Sequence, residues 1–338
     1  MKNSSTTIKD IARSLGISAS TVSRALKNHP DISLKTKTAV KELAQQLHYE
    51  PNAIAMSLRN KSTRTIGVLI PQIVHYFFSS VISGIEDVAY KAGYTVIFCQ
   101  SNEDYEKEKS VVQTLLSKRV DGVLASVSKT TNNFEHFYEI KSSNVPLVFY
   151  DRVCNIPNTD RVIVDDYTGA YKTVAHLIEM GCRRIAHLAT SQELLIGRNR
   201  RNGYVQALKD NNIEVDEEII VHCDTHQQAS KAVPFLLSLP KKIDGIFAVN
   251  DLTAMMAMSI IKRSGYTIPG DIAVAGFSNS LYATLTDPPL TSIEQQGYEM
   301  GQKAASMLIE RIQSDVDLET RVEQIKTELI VRGSSLKQ

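Results

Sequence analysis

From Thr65 onward the chain repeats one pattern, a short apolar run followed by a longer stretch with helical spacing. The runs are Thr65–Pro71, Thr95–Cys99, Gly122–Val127, Leu147–Tyr150, Val162–Val164, Arg184–Leu188, Ile219–Val221, Gly245–Val249 and Ile272–Gly276. Runs that are apolar on successive residues have no polar face to turn to water, so both faces must be covered. Repeated strand–helix units therefore predict an α/β body, a parallel sheet with helices on both sides. The strands outnumber the roughly six of an ordinary open sheet, so two doubly wound lobes are expected.

The first 64 residues read differently, as short helices. Thr7-Ile8-Lys9-Asp10 resembles a capping box with Asp in place of Glu or Gln. The helix it opens, to about Ser14, buries Ile8, Ile11, Ala12 and Leu15. Gly16 turns the chain, and Ser18 caps a second helix with Val22, Ala25 and Leu26 inward. Ser33 caps a third, with Val40, Leu43, Ala44 and Leu47 as its apolar stripe. Pro51 opens a short segment to about Leu58, since proline suits a first helical turn.

This is the physics of an N-terminal, all-α helix-turn-helix head, and charge agrees with it. Residues 1–64 hold 11 Lys and Arg against 4 Asp and Glu, a net of +7. The remaining residues hold 27 and 33, a net of −6. A basic head on an acidic body is expected where one segment meets phosphate. In a helix-turn-helix the start of the second helix enters a major groove. Ala19, Ser20 and Arg24 are expected to project from it. Arg24 suits bidentate contact with guanine, and Ala19 suits a thymine methyl. Ser20, Thr21 and Ser23 suit bases or phosphates. Thr7 and Ser18, at the two helix starts, are further candidates for contact with DNA.

Taken together, T-I-K-D-I-A near the start, T-V-S-R at Thr21–Arg24 and Y-x-P-N-x-x-A-x-x-L at Tyr49–Leu58 resemble the lactose-repressor (LacI/GalR) family. The resemblance covers nearly the whole chain. It implies a helix-turn-helix domain over 1–50, a hinge helix and linker over 51–64 and an effector-binding domain over 65–338. The last looks like a periplasmic sugar-binding protein, with one lobe at about 65–164 and 295–323 and the other at about 165–294 and 324–338. By position, Asn52, Ala55 and Leu58 match hinge residues that face the minor groove, Leu58 as a wedge in a central base step. Read alone, that stretch is only a short amphipathic linker helix. Two hinge helices meeting at one site imply a homodimer and a palindromic operator.

In doubly wound sheets, ligands sit beyond the carboxyl ends of the strands. His75, Phe77, Phe78, Asp151, Arg152, Asp165, Asn250 and Asp251 fall there. An arginine, aromatic faces and several carboxylates suit a hydroxyl-rich effector such as a sugar. Asp166 and Asp251 are also natural helix caps. The family typically has an effector-binding arginine three residues before a glycine, which matches Arg200. It often has an aromatic–Asp pair after the last strand, where this chain has Phe277-Ser278-Asn279. Ser278 keeps a hydroxyl and loses the charge.

Other functions fit less well. The chain has no G-x-G-x-x-G after its first strand, no Walker A pattern and no G-x-S-x-G elbow, so an enzyme is not expected. Cys99, Cys154, Cys182 and Cys223 form no C-x-x-C pair, and reduced thiols in a cytoplasm fit them. No metal or cofactor is expected, and His176 and His187 read as core residues. No run of about 18 apolar residues exists to span a membrane. The N-terminus lacks the apolar stretch of a secretory signal, which counts against a sugar-binding transport protein. A regulator that answers mainly to a partner protein is the remaining alternative.

Overall fold

The computed structural model describes residues 6–47, 49 and 62–337. It divides into two compact units, Met1–Thr63 and Arg64–Gln338. In the first, α1 (Ile8–Leu15), α2 (Ala19–Leu26) and α3 (Leu34–Gln46) pack around Ile11, Ala12, Val22, Ala25, Val40 and Ala44. The Asp10 carboxylate accepts from the Thr7 amide at 3.0 Å and the Thr7 hydroxyl at 2.6 Å, so the box works with Asp. Gly16 ends α1 at φ 64°, a left-handed conformation that glycine adopts without a Cβ penalty.

The second unit holds β1 (Thr65–Ile70), α4 (Tyr76–Lys91), β2 (Thr95–Gln100), α5 (Tyr105–Ser117), β3 (Gly122–Ala125), α6 (Glu135–Ser142), β4 (Leu147–Tyr150) and β5 (Asp160–Val164). It continues with α7 (Asp166–Glu179), β6 (Ile185–Ala189), α8 (Leu195–Asp210), β7 (Ile220–His222), α9 (His226–Ser238), β8 (Gly245–Ala248), α10 (Asp251–Arg263) and β9 (Ala273–Phe277). Last come β10 (Thr291–Glu294), α11 (Gly297–Gln313), β11 (Val322–Ile325) and β12 (Glu328–Ile330).

Two six-stranded sheets result, in the orders β11-β5-β4-β3-β1-β2 and β12-β10-β9-β8-β6-β7. Every pairing is parallel except β10 with β12. In β1, Ile66, Val68 and Ile70 pack under α4 and α11 while Leu69 packs under α5 and α6, as strand alternation requires. The second sheet is covered likewise by α9 and α10 on one face and α7 and α8 on the other.

Three short strands, β10, β11 and β12, are absent from the sequence reading. Each has three or four residues, with polar groups among them. The chain passes between the lobes after β5, β10 and β11. The last passage therefore follows Ile325, two residues later than the expected 323/324 boundary, because β11 pairs with β5.

Within the first lobe α4 and α11 cross at two glycines. A Cβ on Gly84 would stand 2.1 Å from the Tyr298 carbonyl oxygen, and one on Gly301 would stand 2.1 Å from that of Val81. His176 and His187 are buried, the first bonded to the Ser335 hydroxyl at 2.8 Å and the second to the Phe247 carbonyl at 3.1 Å. All four cysteines are free thiols; Cys99 is half-buried and the others are buried. No described helix is long and apolar enough to cross a membrane.

Candidate DNA-reading helix and ligand cleft

Helix α2 begins at a cluster of hydroxyls. Ser18 caps it, accepting from the Thr21 amide at 3.1 Å, and its Oγ lies 2.7 Å from Ser20 Oγ and 2.8 Å from Thr21 Oγ1. Arg24 is exposed, and no acidic side chain among the described residues pairs with it. Ser20 is also exposed, and Ser23 is half-buried. Ala19, expected to project, is instead half-buried and packs partly against the small core. Its methyl lies where α2 leans on its neighbours, which leaves Ser20 and Arg24 as the projecting pair. Thr7 is exposed, with its hydroxyl committed to Asp10. Asn52, Ala55 and Leu58 lie outside the described residues, as does all of the hinge and linker segment before Ser62.

In the second unit a solvent-open cleft separates the carboxyl ends of the two sheets. His75, Phe77, Phe78, Asp151, Arg152, Arg200, Asn250 and Ser278 all line it. Lys129, Thr190, Ile196, Asp224, Val249 and Gln295 line it too and were not anticipated. Each of these follows a strand or opens a helix, so the rule that placed Asp151 points to the same loops. What sequence lacked was a reason to prefer them over their neighbours.

Two expected residues sit elsewhere. Asp165 is at the joint between the lobes, with its amide bonded to the Ile325 carbonyl at 2.9 Å and its carboxylate capping α7 through the Thr168 amide at 3.1 Å. Asp251 faces an adjoining recess lined by Val74, Leu252 and Tyr282. Its carboxylate accepts from the Ser292 hydroxyl and, at 2.6 Å, from the Ser280 amide. Burial pushes its pKa up, against those two bonds. The caps are thus Asp165 and Asn250, one residue before Asp166 and Asp251.

Arg200 lines the cleft and also braces the second lobe. Its Nε donates to Asp166 Oδ1 at 2.8 Å and its Nη1 to the Val249 carbonyl at 2.6 Å, and its guanidinium lies 3.8 Å over the Phe277 ring. Burial raises the Asp166 pKa, and Arg200 opposes the shift. Across the cleft, Arg152 Nη1 donates to both oxygens of Glu103 at 2.8 Å, a partner the sequence did not suggest. Arg152 also sits over the Phe78 ring at 5.7 Å. Burial pulls its pKa down, but the charges of Glu103 and Asp151 outweigh this and raise it.

Asp151 is buried and adopts φ 58°, a strained setting of the kind held at binding sites. Burial pushes its pKa up to about 6 despite Arg152. Burial lowers the pKa of His75, as do Arg152 and Lys129, so its ring is neutral at pH 7. Asp224 behaves oppositely. Burial favours its proton, but the Lys129 charge and the Thr190 hydroxyl win, and its pKa falls. Ser278 sits at φ 128° and donates to Gln295 Oε1 at 2.8 Å, so its hydroxyl ties the loop after β9 to the second passage between lobes.

Known proteins match both units. The model of the bacterial regulatory proteins, lacI family, matches residues 7–52, and that of the periplasmic binding proteins and sugar binding domain of the LacI family matches residues 63–332. The HTH-type transcriptional repressor PurR of Aliivibrio fischeri (strain MJ11) is 36% identical over 335 residues, covering 98% of this chain and 99% of its own. The ribose operon repressor of Halalkalibacterium halodurans is 34% identical, covering 98% of this chain and 97% of its own. Among solved structures, the lac repressor dimer bound to operator and the anti-inducer ONPF superposes with a TM-score of 0.85 at 25% identity, covering 98% of this chain and 100% of that one. With both units matched in order and relatives above 30% identity along almost their full length, the chain belongs to the LacI family of bacterial regulatory proteins.

Proposed function

We propose that this chain is a sequence-specific DNA-binding transcriptional repressor controlled by a small-molecule effector, a sugar or sugar derivative. The observation that carries the reading is the outer face of α2, where an exposed Arg24, without an acidic partner among the described residues, stands beside a cluster of hydroxyls on a head of net charge +7. A relative solved as a dimer on its operator supports a homodimer on a palindromic site. A family model described as sugar-binding, together with the carboxylates and aromatic faces of the cleft, supports the effector class. The chain acts as a non-catalytic switch in the cytoplasm. On the DNA it is held by Ser20, Thr21, Ser23 and Arg24, and through the hinge by Asn52, Ala55 and Leu58.

Coupling follows from differential affinity. A ligand that prefers one angle between the lobes shifts the population toward it, and DNA binding shifts with that population. The test is selection of operators from a random DNA pool by the full chain, followed by footprinting with and without ligands that raise its melting temperature. A palindromic consensus whose occupancy changes with such a ligand is expected. Recovery of no consensus would overturn the reading.

A further inference from the structure

The cleft holds three cationic side chains besides the neutral His75, and each already meets a carboxylate. Arg152 is bound to Glu103, and Arg200 to Asp166, each pair within one lobe. Lys129 Nζ lies 3.0 Å from Asp224 Oδ2. This third pair joins the lobes, because Lys129 follows β3 of the first sheet and Asp224 follows β7 of the second. A fourth carboxylate, that of Asp151, accepts no hydrogen bond among the described residues. The nearest atom of a cation is Arg152 Nε at 3.9 Å, which itself lacks an acceptor. With Glu103 and Asp166, which stand behind the lining as partners of the two arginines, four carboxylates surround the three cations, and Asp151 is the one left without a cation of its own.

Both partners of the cross-lobe pair are held in place before any ligand arrives. The Lys129 amide donates to Glu103 at 2.9 Å, and the preceding Ser128 amide donates to the buried Glu108 at 2.7 Å. Asp224 accepts from the Thr190 hydroxyl, and its amide donates to Gln228 Oε1 at 2.9 Å. Lys129 is also the most exposed of the three cations, at 21% of its side chain against 8% for Arg152 and 6% for Arg200.

We propose that the Lys129–Asp224 pair is a charge filter: by committing the most accessible cation of the cleft across the lobes, it restricts the ligand to uncharged molecules and refuses a phosphorylated sugar where the parent sugar is taken. The inference rests on the reading of this cleft as the effector site. A phosphate monoester carries about −1.5 to −2 charge at pH 7. It would have to displace Asp224 from Lys129 and would also face Asp151, an arrangement of like charges that selects against it. A neutral hydroxyl suits the group left over, because it can donate to Asp151 without bringing another negative charge. Helices α7 and α10 begin with Asp166 and Asp251, which offset their positive ends. The starts of α4 and α8 lack side-chain caps, and their amides serve an uncharged oxygen as well.

The experiment titrates the full chain by calorimetry and thermal shift with three matched pairs: ribose and ribose 5-phosphate, glucose and glucose 6-phosphate, adenosine and adenosine monophosphate. Wild type is expected to bind an unphosphorylated member at least about tenfold more tightly than its phosphorylated counterpart. Asp224→Asn, which frees Lys129 without changing the shape of the site, narrows that ratio by about tenfold. Lys129→Met, which leaves Asp224 uncompensated, widens it, and so keeps the test decisive if Asp224→Asn folds poorly. Equal or tighter binding of a phosphorylated probe by wild type overturns the filter and leaves the cleft as the effector site. So does a ratio that neither variant moves. Binding of adenosine with neither free sugar bound overturns the free-sugar reading while the filter stands on the adenosine pair. Binding of no probe at millimolar concentration counts against both.

Discussion

His187 lies stacked on Phe247, ring centroids 4.8 Å apart and planes 7° from parallel, with its Nδ1 turned to the Phe247 carbonyl. Tyr204 closes the other side at 5.1 Å. Burial in this stack lowers the His187 pKa to about 4. The folded state thus resists a proton that the unfolded chain accepts near its ordinary value of about 6.5. The stability this represents is fully present above pH 6.5 and is lost as pH falls toward 4, about 3 kcal/mol in all.

Asp151 opposes it in the same window. Its folded pKa of about 6 lies above the ordinary carboxylate value, so its burial costs stability above pH 6, and that cost is relieved as pH falls toward 4. Asp151→Asn is therefore expected to melt higher than wild type at pH 7.5, by an increment that shrinks to nothing near pH 4. The variant also melts more steeply with acid, because the His187 contribution is no longer masked. Thermal melts of ligand-free protein across this range check it, and a constant increment would show that burial of the charge is not the cause.

Arg24→Ala is expected to leave the fold intact, since the side chain is exposed and has no acidic partner among the described residues. It should cost about 1–3 kcal/mol of operator binding and relax preference at one base pair in each half-site. Fluorescence anisotropy against a set of single-base operator variants reads both effects. Uniform weakening at every position would make Arg24 a phosphate contact instead.

Operator affinity should fall steeply and linearly on a log–log plot against salt, because phosphate contacts by the +7 head release counterions. Replacing an exposed lysine of the head that touches phosphate should reduce the slope by about one. A flat response across roughly 50–200 mM salt would contradict DNA binding through the head.

The crossing of α4 and α11 leaves no room for a methyl group. Gly84→Ala and Gly301→Ala each set a Cβ against backbone carbonyl oxygen, which cannot rotate away. Each is expected to destabilise the first lobe by about 1–3 kcal/mol or more. Urea unfolding of the full chain measures the loss, and a double variant should cost less than the sum because one displacement of the helices serves both.

Much of this architecture was legible from residues 1–338 alone. The caps at Thr7, Ser18 and Ser33 came from local rules, and local hydrogen bonds decide them. Nine strands were found because their apolar runs are continuous. The cleft residues Asp151, Arg152 and Asn250 were found because the ends of parallel strands collect ligands. What escaped depends on distant partners. Asp166 reads as a cap until Arg200, 34 residues on, is seen to take its carboxylate. Lys129 and Asp224 are 95 residues apart in sequence and meet only where the two lobes face each other. Glu103 joins the site only because the chain turns at φ 60° after β2. β11 carries a single buried residue, and its signal is too weak to separate from a loop.

The three passages between lobes also govern the order in which this protein is completed. The first lobe is begun at β1, yet one of the two helices on the face of Ile66, Val68 and Leu124 is α11, which packs on β3, β4 and β5, and the lobe's last strand is β11. Between them the chain inserts almost the whole second lobe. During synthesis the first sheet must wait, with the α11 share of one face uncovered, until residue 313 has emerged, while β6 to β10 already have both of their helical layers. The lobe that comes first along the chain is thus sealed late, and its exposed Val and Ile strands are the span most in need of protection while the chain is being made.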